Sequence, residues 1–102
     1  MSGASQSIRH VIIRGRVQGV GFRAWVEDTA IDHGLDGWVR NRRDGTVEAV
    51  FAGSPQNVEA VIEACRRGPF GARVDAVDQR AGTADDLKLR HPGEPFSVLA
   101  TI

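Results

Sequence analysis

The densest chemical signal in this 102-residue chain is a glycine-rich stretch followed at once by an arginine. Gly15, Gly19 and Gly21 fall within seven positions and can take backbone conformations that other residues avoid, so the stretch from Gly15 to Gly21 predicts a loop. Where such a turn opens a helix, several N–H groups lack partners and the positive end of the helix dipole is exposed, which together cradle an anion. Arg23 falls in the first turn of that helix, where a cation opposes the dipole; a bound dianion would compensate it. Taken alone, the same turn fits equally well with one that merely packs, and Arg23 with a solvated side chain. The glycine spacing is neither the dinucleotide fingerprint nor a Walker A loop, so no nucleotide is implied. Charge concentrates in the same region: residues 9–43 hold seven Arg against four acids, whereas 44–102 hold six basic against nine acidic residues.

These residues must be positioned by the elements around them. The β-branched run Ile8 to Ile13 predicts a strand, with Ile8, His10 and Ile12 on one face and Arg9, Val11 and Ile13 on the other. Phe22, Trp25, Val26, Thr29, Ala30 and His33 recur at helical spacing, and Gly34 ends that helix. Gly37 to Arg42 and Thr46 to Phe51 predict two strands joined by a type I′ turn at Asp44-Gly45, a register that sets Trp38 opposite Phe51 and Asn41 opposite Glu48. Ser54-Pro55 is an N-cap with proline at the first helical position; Val58, Val61, Ile62 and Cys65 make that helix's apolar face. Ala72 to Asp78 predicts an edge strand with a bulge where Val77 falls out of phase. Residues 81–95 are polar, with two prolines and two glycines, and predict a long mobile connection; Phe96 to Ile102 predicts a last strand.

The order is the βαββαβ arrangement of a ferredoxin-like α/β sandwich plus a terminal strand: an α+β fold whose antiparallel sheet carries both helices on one face. A strand–helix–strand connection returns the chain in the same direction, so the loop 15–22 and the residues around Asn41 meet at one edge of the sheet.

Composition bounds the rest. A chain of this length makes one domain, expected over 8–102, with 1–7 as a disordered tail. Thirteen basic residues balance thirteen acidic ones, so no global field draws the protein to nucleic acid or membrane. The single cysteine, Cys65, makes no intrachain disulfide and no zinc cluster and fits a reducing compartment; with no signal peptide or membrane span expected, the reading is cytoplasmic.

Two segments carry a more specific signal. The run IRGRVQGVGFR, through Ile13, Gly15, Val17, Gln18, Gly19, Val20, Phe22 and Arg23, resembles the first signature of the acylphosphatases. The run GWVRNRRDGTVEAVFAG, through Gly37, Trp38, Val39, Arg40, Asn41, Gly45, Val47 and Gly53, resembles the second. The similarity extends from about Ile8 through Val77, with Phe96 and Val98 fitting the closing strand. The resemblance implies hydrolysis of the carboxyl–phosphate bond of small acyl phosphates, without cofactor, metal or covalent intermediate. It places the phosphate loop at Arg16, Val17, Gln18, Gly19, Val20, Gly21 and Phe22, the phosphate-binding arginine at Arg23 and the water-orienting asparagine at Asn41. The implied partners are an acyl phosphate substrate and inorganic phosphate as product and inhibitor; the balanced charge points to no nucleic acid and no membrane, and the small size without an obvious long apolar patch points to a monomer.

Other residues receive plainer expectations. Trp25, Trp38 and Cys65 are core residues; His10 is a satisfied or edge histidine; His33 and His91 are solvated. Arg40, Arg42 and Arg43 form a hairpin rim able to steer an anion, and Glu48 is placed to fix the Asn41 amide. Two further readings compete: a non-catalytic interaction module, against which intact Arg23 and Asn41 argue, and an RNA-recognition domain. The latter needs exposed aromatics on the central strands, where residues 46–52 offer only Phe51.

Overall fold

A computed structural model describes residues 6–102, so the expected tail 1–7 lies mostly outside the described residues, and Ser7 already belongs to the first strand. In chain order the elements are β1 (Ser7–Arg16), α1 (Phe22–Asp32), β2 (Asp36–Asn41), β3 (Val47–Gly53), α2 (Pro55–Cys65), β4 (Arg73–Ala81), a 3₁₀ helix (Ala84–Leu89) and β5 (Phe96–Val98). They form one five-stranded sheet in the order β4-β1-β3-β2-β5. The sheet is mixed and not purely antiparallel as expected, because β5 runs parallel to β2. After β4 the chain crosses the sheet through residues 82–95 and re-enters at the opposite edge in the direction of β2.

Strand alternation divides the sheet into two faces. Val11, Ile13, Val39, Val47, Ala49 and Phe51 pack with Val26 and Ala30 of α1 and Val58, Val61 and Ile62 of α2, which puts both helices on one side. Trp38, Val50 and Leu99 form a second cluster on the other side, joined by Ile8 and Leu87. Burying such side chains stabilises by roughly 1.5–3 kcal/mol each. The helices end as their sequences predict. Gly34 takes φ 67° after α1, with Gly34 N–H donating to Ile31 O (2.9 Å) and Leu35 N–H to Ala30 O (2.9 Å), a Schellman motif. Ser54 Oγ accepts from Asn57 N–H (3.3 Å) at the start of α2.

The β2–β3 register differs from the prediction by one residue: Trp38 pairs with Val50 and Asn41 with Val47. A type I′ turn needs positive φ at both central residues, and here Gly45 has it (φ 91°) while Asp44 does not. Instead Gly45 N–H donates to Arg42 O (3.0 Å) and Arg42 N–H to Thr46 O (2.9 Å), closing a three-residue loop with a left-handed glycine at its end. Asp44 Oδ1 fixes this form by accepting from Thr46 Oγ1 (2.7 Å) and Thr46 N–H (3.0 Å). The hydroxyl bond, then the backbone bond, holds the Asp44 carboxyl below its ordinary pKa. A slip of one residue changes which side chains share a face, so Glu48 does not face Asn41; it lies opposite Arg40.

β4 is an edge strand with the predicted irregularity. Arg14 pairs with Ala76 and Gly15 with Val74, leaving Asp75 as the extra residue, and so both Val74 and Val77 reach the core. Gly15 sits where a Cβ would lie 2.2 Å from Arg73 O, so no other residue fits beside the bulge. Residues 81–95, expected as a long mobile connection, carry a 3₁₀ helix. A capping box at Thr83 and Asp86 starts the 3₁₀ helix, Trp38 Nε1 donates to Asp86 O (2.7 Å), and Leu87 packs over the second cluster. The sheet face an RNA-recognition domain would expose is therefore closed, with Trp38 only 1% exposed.

Candidate active site

β1 delivers the glycine loop, which is pinned at both ends: Val17 (1% exposed) and Phe22 (2% exposed) are core residues. Between them Gly19 and Gly21 both take φ 77°, which lets the chain reverse tightly into α1. Gly21 occupies the N-cap position, so α1 has no side-chain cap, and its first turn carries no acid. The helix start thus keeps unsatisfied donors and its positive dipole end at the loop. Gln18 ties the loop to the hairpin: its Nε2 donates to Arg42 O (2.7 Å) and Thr46 O (2.9 Å), the two carbonyls that close the turn after Asn41.

The loop, the start of α1 and the end of β2 border a cleft of about 420 Å³. Arg23 and Asn41, predicted from separate segments, both line it, as do Val17, Gln18, Gly19, Gly21 and Phe22. Arg16 and Val20 do not. Arg16 is the exposed last residue of β1, opposite Arg73, and Val20 leans on the core. Asn41 points to the helix side of the sheet, in phase with Val39, and its backbone carbonyl accepts from Ile102 N–H (3.1 Å). Its side-chain Oδ1 is buried without a hydrogen-bond partner, the one such side-chain atom among the described residues. A buried acceptor left unpaired costs about 1–3 kcal/mol, so the position makes physical sense when a donor occupies the cleft. Arg23 enters no salt bridge among the described residues.

Three lining residues escaped the sequence reading: Ala24, Glu27 and Val98. Glu27 follows Arg23 at the helical spacing of four, a signal available in the sequence. Val98 had none, because its place depends on β5 joining β2.

The far face holds a different polar group. Glu48 Oε2 lies 2.6 Å from His10 Nε2, Glu48 Oε1 accepts from Arg40 Nε (2.7 Å), and the Arg40 guanidinium sits 4.7 Å over the Trp38 ring. Burial opposes the Glu48 charge, yet the bonds from Arg40 and His10 outweigh it and hold its pKa below the ordinary value. Cys65 is buried in the core and its thiol is pushed up to about 12 by desolvation, so it is no nucleophile. Among the described residues no group of three or more His, Cys, Asp or Glu could hold a metal, and no helix is long and apolar enough to cross a membrane.

The acylphosphatase family model matches residues 9–90, a span that contains the loop, Arg23 and Asn41. The chain belongs to the acylphosphatase family. An acylphosphatase of Bradyrhizobium diazoefficiens is 58% identical over 98 residues, covering 96% of this chain and 99% of that protein. Among solved structures, an acylphosphatase from Coxiella burnetii superposes with TM-score 0.83 at 30% identity, covering 97% of this chain and 100% of the other. The acylphosphatase from Bacillus subtilis gives TM-score 0.79 at 31% identity, covering 93% and 99%. In this chain the two segments that carry the family resemblance lie in β1–α1 and β2–β3, the elements that border the cleft.

Proposed function

We propose that this acylphosphatase hydrolyses small acyl phosphates by direct in-line attack of a water held by Asn41 on a phosphoryl group bound by Arg23 and the amides of the loop residues that line the cleft, Val17, Gln18, Gly19, Gly21 and Phe22. Family membership supports acyl phosphate hydrolysis as the reaction class; the cleft supports the division of roles. The observation that carries it is the unpartnered Asn41 Oδ1 in the same cleft as Arg23 and the uncapped start of α1.

The chemistry asks for little else. The leaving group is a carboxylate whose conjugate acid has a pKa near ~4, so it departs without a general acid. Phosphoryl transfer depends on positioning and charge stabilisation, which a planar guanidinium and converging amides supply. Asn41 Oδ1 accepts one O–H of the attacking water and, being neutral, does not repel the phosphate as a carboxylate would. The water's other proton passes to a phosphate oxygen. In this reading inorganic phosphate is product and competitive inhibitor, residues 8–102 work as a monomer, and the lone buried Cys65 suits a reducing cytoplasm. The test is release of phosphate from benzoyl phosphate by the purified protein, with and without a chelator. Turnover insensitive to chelation is expected; absence of turnover overturns the proposal.

A further inference from the structure

The cleft exceeds what a phosphoryl group fills. Beyond Arg23 it continues along α1 past Ala24 and Glu27 to Val98, which lies beside Val39 on β2, two residues before Asn41. If the phosphate sits on the glycine loop, the acyl group lies against this wall. Ala24 and Val98 offer it apolar contact. Glu27 does not: it is half-buried, on the helix face of Arg23, and joins no salt bridge among the described residues despite the spacing of four. An unpaired carboxylate in the wall of an anion site repels the ligand, and it discriminates among ligands according to what they present to it.

We infer that Glu27 makes this wall an acyl subsite that selects acyl phosphates whose acyl carbon bears an N–H donor and disfavours those carrying a second carboxylate. The inference rests on the cleft being the acyl phosphate site. An amide N–H donates a charge-assisted hydrogen bond to Glu27, while a methyl group of the same size leaves the carboxylate unsatisfied.

Carbamoyl phosphate and acetyl phosphate differ at that atom, NH₂ against CH₃, and are nearly equal in size. The measurement is the ratio of their kcat/KM values, taken on the same preparation so that the fraction of folded protein cancels. One charge-assisted bond corresponds to about tenfold to hundredfold, so Glu27→Leu should lower the carbamoyl-to-acetyl ratio by at least about tenfold. Glu27→Gln, which keeps an acceptor oxygen without charge, should fall between. Succinyl phosphate should gain on acetyl phosphate in both variants. A carbamoyl-to-acetyl ratio unchanged in Glu27→Leu, with both substrates hydrolysed, overturns the role of Glu27 and leaves the reading of the cleft intact. Failure of the wild-type protein to hydrolyse either substrate overturns that reading and this inference with it.

Discussion

Arg40 and Asn41 are adjacent on β2 and point to opposite faces of one sheet, and their surroundings could hardly differ more. Arg40 is committed on both sides, bonded to Glu48 and stacked over Trp38, with His10 completing the group. Among the described residues Asn41 keeps a buried acceptor with no partner, in a cleft with an arginine that joins no salt bridge. Native proteins pair their buried polar groups almost without exception. The far face therefore looks like structure, complete as it stands, and the near face like a site whose last partner arrives with the ligand. Substitutions on the two faces should separate accordingly: activity lost from one, stability lost from the other.

The largest effect should come from Arg23. Arg23→Ala removes the guanidinium fork and should lower kcat/KM by roughly a hundredfold, and Arg23→Lys, which keeps charge without the fork, nearly as much. Steady-state hydrolysis of benzoyl phosphate checks both; an unimpaired Arg23→Lys enzyme would remove the phosphate assignment. Asn41→Ala comes next: kcat should fall about tenfold to hundredfold while competitive inhibition by phosphate survives. It should leave stability unchanged or slightly raised, since an unsatisfied acceptor is deleted. Loss of phosphate inhibition would move Asn41 into binding. Gln18→Ala sharpens the comparison further. Gln18 bonds the loop to the hairpin base, so its loss should lower kcat by up to about tenfold, the cost of one misaligned contact, with a smaller effect on phosphate inhibition, which depends on loop and Arg23 alone.

The near face was more legible in the sequence than the far one, for a physical reason. Gly15, Gly19, Gly21, Phe22 and Arg23 fall within nine consecutive positions, and Asn41 is brought to them by a connection whose handedness is fixed by strand twist. Local signals were enough for that. The hairpin register was not local: Asp44 prefers to bond Thr46 in a right-handed turn over entering the left-handed region, and that choice shifts every pair by one residue. With the shifted register Glu48 belongs to Arg40. The cover over Trp38 was also out of reach, because residues 81–95 look polar and what holds them over the sheet is a capping box, the bond from Trp38 Nε1 to Asp86 O and the packing of Leu87. Val98 entered the cleft for the same kind of reason, through a parallel pairing with no sequence signature.

The smallest effect on turnover, and the sharpest test of the far face, belongs to Glu48. Glu48→Gln removes the charge shared by Arg40 and His10 but keeps shape. It should cost about 1–3 kcal/mol of stability at neutral pH, read by denaturant unfolding, because buried partners are left unpaired. Its pKa in the folded protein lies below the ordinary 4.5, so its contribution is fully present above about pH 4.5 and is lost as pH falls through the lower, folded value. The wild-type protein should therefore lose stability in that acid window more steeply than Glu48→Gln, and the two curves should converge at the acid end. Hydrolysis at neutral pH should stay within about twofold of wild type, less than 1 kcal/mol, since Glu48 lies on the face away from the cleft. If kcat instead falls with stability, the two faces are coupled through β2, and Arg40 holds Asn41 in place as well as the sheet.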